Sequence, residues 1–92
     1  MYFIKLDDLR TVEKLTKLCE KHKDYMETDI CFGRYVIDGA SVLAVASLIG
    51  NIVSIRPIIK EDAIISEFYE EFKEIGGWSN KTEHPAKLNK II

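Results

Sequence analysis

The stretch ETDICFGRYVI, residues 27–37, decides the fold, because at Glu27 the spacing of apolar side chains changes from three or four residues to two. Thr28, Ile30 and Phe32 then share one face, Gly33-Arg34 makes a tight reversal, and Tyr35 and Ile37 continue on a second strand. Gly33 favours the positive φ that such a turn uses, whereas Arg34 does not demand one. A hairpin is the simplest reading, and it requires that the helical segments on either side pack onto a sheet.

Upstream, Leu9 to Lys23 has helical periodicity. Leu9, Val12, Leu15, Cys19 and His22 form a stripe that Leu18 widens, with Glu13, Lys14, Lys17 and Glu20 elsewhere. Tyr2 to Leu6 is a short β-rich run. Asp7 and Asp8 interrupt it, and either can accept hydrogen bonds from the first amides of the helix. Downstream, Asp38-Gly39 ends the hairpin and Ser41 to Ile49 forms a short apolar helix, with Val42, Val45, Ala46 and Ile49 marking one side and Leu48 extending it. Ile52 to Arg56 is a strand ended by Pro57, and a last helix runs from about Glu61 to Ile75, stopped by Gly76-Gly77.

The order β-α-β-β-α-β-α predicts an α+β domain: a four-stranded antiparallel sheet covered on one face by three helices, an open-faced β-sandwich. The domain is expected over residues 1–77. Residues 78–92, with Lys81, Lys87, Lys90 and Pro85, are expected to be a C-terminal tail anchored by Trp78 or by Leu88, Ile91 and Ile92.

A chain of 92 residues suffices for one domain with a modest core and leaves little room for a deep substrate cavity. With 13 basic and 15 acidic residues, a formal charge of -2, it has no global attraction to nucleic acid or anionic lipid. Cys19 and Cys31 fit no metal spacing and are expected to be buried free thiols in a reducing compartment. The N-terminus lacks the pattern of a signal peptide, and the least charged stretch, residues 39–55, is too short and polar to span a bilayer. The expected location is cytoplasmic.

No motif for phosphate cradling, for zinc or for a hydrolase nucleophile is present. His22 lies on the helix stripe and is expected to be packed, and His84 falls in the tail. Asp7 and Asp8 are adjacent and do not face one another as an acid/base pair. Arg10, one turn into the first helix, can hold a phosphate or carboxylate, or pair with Asp7 or Glu13. Ser41 begins the short helix, where its hydroxyl can cap, and Val42, Leu43 and Leu48 beside it offer an apolar patch. These features exclude a self-contained active site and point to a domain that other proteins bind. No cofactor or metal is expected.

The segment DGASVLAVASL, residues 38–48, resembles the N-x-K-S-I-M-G-V-M-S-L segment of the HPr-type phosphocarrier proteins of the bacterial phosphoenolpyruvate-dependent sugar phosphotransferase system. The resemblance continues through IVSIR, residues 52–56, and EDAII, residues 61–65, and the element order is the one the family has. The family carries its phosphoryl group on the histidine of H-A-R-P-A. The matching string here is DLRTV, residues 8–12, in which Arg10 matches the supporting arginine, Asp8 replaces the histidine and Thr11 the proline. The resemblance therefore implies a degenerate phosphotransfer site at Asp8 and Arg10 without histidine phosphotransfer. It also implies regulatory phosphorylation at Ser41, and partner binding through Val42, Leu43 and Ser47. Ala40 and Ala44 replace the family's lysine and glycine. The implied partners are phosphotransferase-system components, a serine kinase or a LacI-type transcription regulator, with no direct contact to nucleic acid or membrane. Two alternatives stand beside this reading. One is a phosphocarrier that uses another acceptor, His84 being the candidate; the other is a structural protein that acts as a homodimer rather than a monomer.

Overall fold

The computed structural model describes residues 1–59 and 65–79. Among them the hairpin forms where the period of two begins. Strand β2 (Met26–Phe32) pairs antiparallel with β3 (Tyr35–Asp38), Ile30 opposite Ile37 and Phe32 opposite Tyr35. Gly33 sits in the turn at φ +60°, a conformation in which a β-carbon would be strained. On its other edge β2 pairs with β4 (Ile52–Ile59), Ile30 facing Ile55. Strand β4 in turn pairs with β1 (Tyr2–Lys5), Ile4 facing Val53.

A fifth strand corrects the expected four. Trp78 and Ser79, read from the sequence as the start of the tail, form β5 beside β1, with Phe3 opposite Trp78. The sheet order is β3-β2-β4-β1-β5, antiparallel throughout.

One face of this sheet holds the core. Ile4, Met26, Ile30, Val53 and Ile55 alternate toward it and are buried against side chains of three helices. Helix α1 (Leu9–Lys21) contributes Val12, Leu15, Leu18 and Cys19, α2 (Val42–Ala46) contributes Val45, and α3 (Ile65–Glu74) contributes Phe68 and Phe72. The expected cover of one sheet face by three helices is therefore present. The opposite face carries exposed or half-buried residues, among them Lys5, Ile52, Arg56 and Val36.

Three expectations about the elements are revised. Leu9, placed on the buried stripe, is 52% exposed, because the first helical turn reaches past the sheet's cover, and Thr16 is buried instead. Strand β4 does not stop before Pro57 but continues to Ile59. By then it has outrun β1, whose pairing ends at Ile55, so it has β2 alone as neighbour and the missing proline amide is tolerated as on an edge strand. Helix α2 is five residues long rather than running to Ile49 and passes into turns from Ser47, with Val45 buried and Val42 and Ile49 partly exposed. The expected start of the last helix, at Glu61 and Asp62, lies outside the described residues, as do His84, the lysines and the terminal isoleucines.

His22 is packed, as its place on the stripe predicts. It is 4% exposed, its Nε2 lies 2.8 Å from Glu71 Oε1, and its ring meets Phe68 edge-on at 5.6 Å. Lys21 donates to the other oxygen of Glu71. Together these two contacts hold Glu71 below the usual carboxylate range, the lysine having the larger effect, and they clamp α3 onto the end of α1.

Candidate functional site

Helix α2 is positioned at both ends by backbone contacts. Before it, Gly39 N donates to Thr28 O at 2.8 Å, Ala40 N to Asp38 Oδ1 at 3.0 Å, and Ser41 N to Asp38 O at 3.0 Å. A β-carbon on Gly39 would lie 2.8 Å from both Cys19 Sγ and Thr28 O, so the chain crosses α1 and β2 as closely as a glycine allows. After it, Gly50 N donates to Leu6 O at 2.7 Å and Leu6 N to Asn51 O at 3.0 Å, which ties the exit from α2 to the end of β1. The helix therefore begins beside Cys19, late in α1, and its exit returns to the residues just before α1.

This layout separates the two halves of the sequence-derived site. Asp8 and Arg10 sit at the start of α1, near the exit of α2, whereas Ser41 sits at its entry. Asp8 is the N-cap of α1. Its Oδ1 accepts from Thr11 N at 3.0 Å and from Thr11 Oγ1 at 3.2 Å, and those bonds, the backbone one foremost, keep its carboxyl below the usual range. Thr11 thus completes the cap. Arg10 is exposed, and the pairs with Asp7 or Glu13 do not form among the described residues; Asp7 lies 4.0 Å from Lys5 instead.

Ser41 occupies the N-cap position of α2, but its side chain makes no capping hydrogen bond. The expected cap role is corrected accordingly. Five residues also align few peptide dipoles, so α2 offers a phosphate much less than a longer helix would. Asp8 and Ser41, the two N-cap residues, make a direct comparison. Asp8→Ala is expected to lower the melting temperature by roughly 5 °C, whereas Ser41→Ala is expected to change it by less than about 2 °C, both read by circular dichroism. Equal losses from the two would show that Ser41 caps in solution.

The patch beside Ser41 is open. Leu43 is 84% exposed and Val42 40%. Ser47 Oγ donates to Ala44 O at 2.6 Å, and Ser47 and Leu48 line a hollow of about 280 Å³ with Tyr35 and Ile37 of β3. Tyr35 was not singled out from the sequence, although an aromatic residue directly after a turn at a strand's start signals exposure.

A second feature missed in the sequence is a hollow of about 570 Å³ lined by Ala40, Cys19, Thr28 and Lys23 and by the acidic residues Asp24, Glu27, Asp29 and Asp38. The carboxylates come from three separate segments and only meet in the fold. Among the described residues no group of three or more histidine, cysteine, aspartate or glutamate side chains is arranged to hold a metal. Burial pushes the Cys19 thiol up to about 12, so this cysteine is a packed apolar group and not a nucleophile. Cys31 is only half-buried, unlike the expectation, because it lies on the sheet face away from the helices. No helix among the described residues is long and apolar enough to cross a membrane.

The fold and site define a mixed α+β domain with an open sheet face and an exposed apolar helix. Compared with protein-family models, curated proteins and solved structures, the chain matches none.

Proposed function

We propose that this chain is an HPr-like protein-interaction domain, bound through α2 and its flanks, that regulates its partner and does not relay phosphate through a histidine. The observation that carries the reading is the side chain of Leu43, 84% exposed on a helix otherwise wedged between α1 and β3, next to a serine with no capping hydrogen bond. A large apolar side chain held out on a rigid element, ringed by Ser41, Ser47 and exposed Val42, has the composition of a binding anchor. The element order and the place of Ser41 at the start of α2 support the likeness to the phosphocarrier family.

Asp8 supports the loss of phosphotransfer. A carboxylate has no ring nitrogen to accept phosphate, and Oδ1 of Asp8 is committed to Thr11 as a helix cap. Modification of Ser41 would place a charge of about -1.5 to -2 beside the hollow that begins at Ala40 and holds Asp38 and Asp24 along with Lys23. Repulsion there would alter the surface that a partner meets, which is how one hydroxyl could switch binding.

The test is intact-mass spectrometry after two incubations, one with the phosphoenolpyruvate-driven enzyme of the sugar phosphotransferase system and one with its serine kinase and ATP. The expected outcome is no acid-labile phosphate in the first and one acid-stable phosphate in the second, absent from Ser41→Ala. Acid-labile phosphate in the first would overturn the reading. Leu43→Lys is expected to leave stability within about 0.5 kcal/mol while removing partner binding by at least tenfold in a pull-down titration.

A further inference from the structure

Strand β3 is one edge of the sheet, and its outer side is unpaired among the described residues. Gly39 N donates to Thr28 O at 2.8 Å in register with the β2–β3 pairs, so hydrogen-bonded and non-hydrogen-bonded pairs alternate from there. Ile37 and Tyr35 therefore bond to β2, and the N–H and C=O of Val36 point outward, away from it. Natural edges are blunted by proline, lysine or a bulge. Residues 35–37 are instead Tyr-Val-Ile, strong strand formers, with Tyr35 67% and Val36 53% exposed. The other edge, β5, is only two residues long.

We propose that this edge pairs antiparallel with the same edge of a second copy, about a two-fold axis through Val36, so that one sheet runs through both. The sequence Arg34-Tyr35-Val36-Ile37-Asp38 selects that occupant and register, because it is complementary to its own reverse. Aligned on Val36, the two strands exchange both backbone hydrogen bonds of that residue, set Tyr35 of each copy opposite Ile37 of the other, and bring Arg34 of each beside Asp38 of the other. Arg34 is exposed and makes no ion pair among the described residues. Asp38 uses Oδ1 for Ala40 N, which leaves Oδ2 for the arginine. Sliding one strand by two residues in either direction sets Tyr35 or Ile37 against itself and parts the charges. A parallel partner strand would not close into a two-fold dimer.

Tyr35 and Ile37 take the non-hydrogen-bonded positions of the new pair, where side chains come closest. The hollow of about 280 Å³ that they share with Ser47 and Leu48 leaves room beside them for their counterparts. From Arg34 to Asp38 the seam is roughly 17 Å long, at about 3.4 Å per residue. Such a contact falls below the roughly 1,200 Å² of standard interfaces, so the dimer is reversible, with a dissociation constant on the order of 100 μM. Neither Ser41 nor Leu43 belongs to the seam, so the inference goes beyond the function proposed above and does not rest on it.

Sedimentation equilibrium of the full chain is expected to show a concentration-dependent dimer. Val36→Pro removes the outward N–H and no bond of the hairpin, and is expected to abolish association while the far-ultraviolet circular dichroism stays unchanged. Arg34→Glu alters a side chain that makes no hydrogen bond among the described residues. It is expected to weaken association about tenfold at low salt, a difference that shrinks at about 0.5 M salt. Cys31 stands opposite Val36 within the chain, so the trapping variant carries Cys31→Ser. In that background Val36→Cys is expected to close a disulfide between copies, since hydrogen-bonded partners lie about 5.5 Å apart at Cα, whereas Tyr35→Cys, which does not face itself, is not. A chain that stays monomeric up to about 1 mM, association that survives Val36→Pro, Arg34→Glu associating as the wild type does at low salt, or no disulfide from Val36→Cys would overturn the proposal.

Discussion

Replacing Phe72 by alanine is expected to cost about 3–5 kcal/mol, a large share of the stability of a domain this size. Phe72 is 1% exposed, lies parallel to Phe68 with centroids 6.1 Å apart, and meets Tyr2 edge-on at 6.4 Å. Its ring also lies where a side chain on Gly77 would be, with ring atoms 2.3–2.5 Å from a β-carbon built there. The alanine variant would thus open a void between α3, β1 and the turn leading to β5, and the surroundings could not close it without moving all three. A drop in melting temperature of roughly 15 °C or more is the readout. A loss below about 1 kcal/mol would mean that α3 is not seated on the sheet as described.

The second large effect is expected from Gly39→Val, at about 3 kcal/mol. One of the two atoms that a β-carbon would strike is the backbone oxygen of Thr28, fixed within β2, and the other is the buried sulfur of Cys19. Neither yields easily, so the segment from Asp38 to Ser41 must move, and α2 with it. Chemical denaturation would measure the cost. Amide chemical shifts should change through residues 39–50 and much less in β5, which would show that Gly39 sets the pose of Ser41 and Leu43. Unchanged shifts around Leu43 would show that the helix is held from its exit alone.

Much of this architecture is legible in the residues. The switch to a period of two at Glu27, the glycine at the turn and the α1 stripe each leave a pattern several residues long, and each forms as expected, with Leu9 the exception. What is not legible is what depends on few residues or on a neighbour's length. Strand β5 is two residues after a glycine pair, too short for any periodicity, and exists because Trp78 finds Phe3. The passage of β4 through Pro57 follows from where β1 stops, a fact of the sheet and not of the local sequence. The site divides in the same way. Asp8 and Ser41 stand at helix starts as their types and positions predict, but the missing cap bond of Ser41 and the gathering of Asp24, Glu27, Asp29 and Asp38 arise only from the folded arrangement.

The position of β1 between β4 and β5 bears on how the chain is made. Tyr2 pairs with Ile55 and Phe3 with Trp78, so β1 leaves the ribosome well before either of the strands that flank it. Until residues beyond Ile55 emerge, Ile4 and Leu6 have only α1 to lean on, and the β2–β3 hairpin can form ahead of them. Synthesis therefore passes through a stage in which the apolar segment of β1 waits in solution. A holding chaperone that binds short apolar strands would meet it there, before the domain that buries it exists.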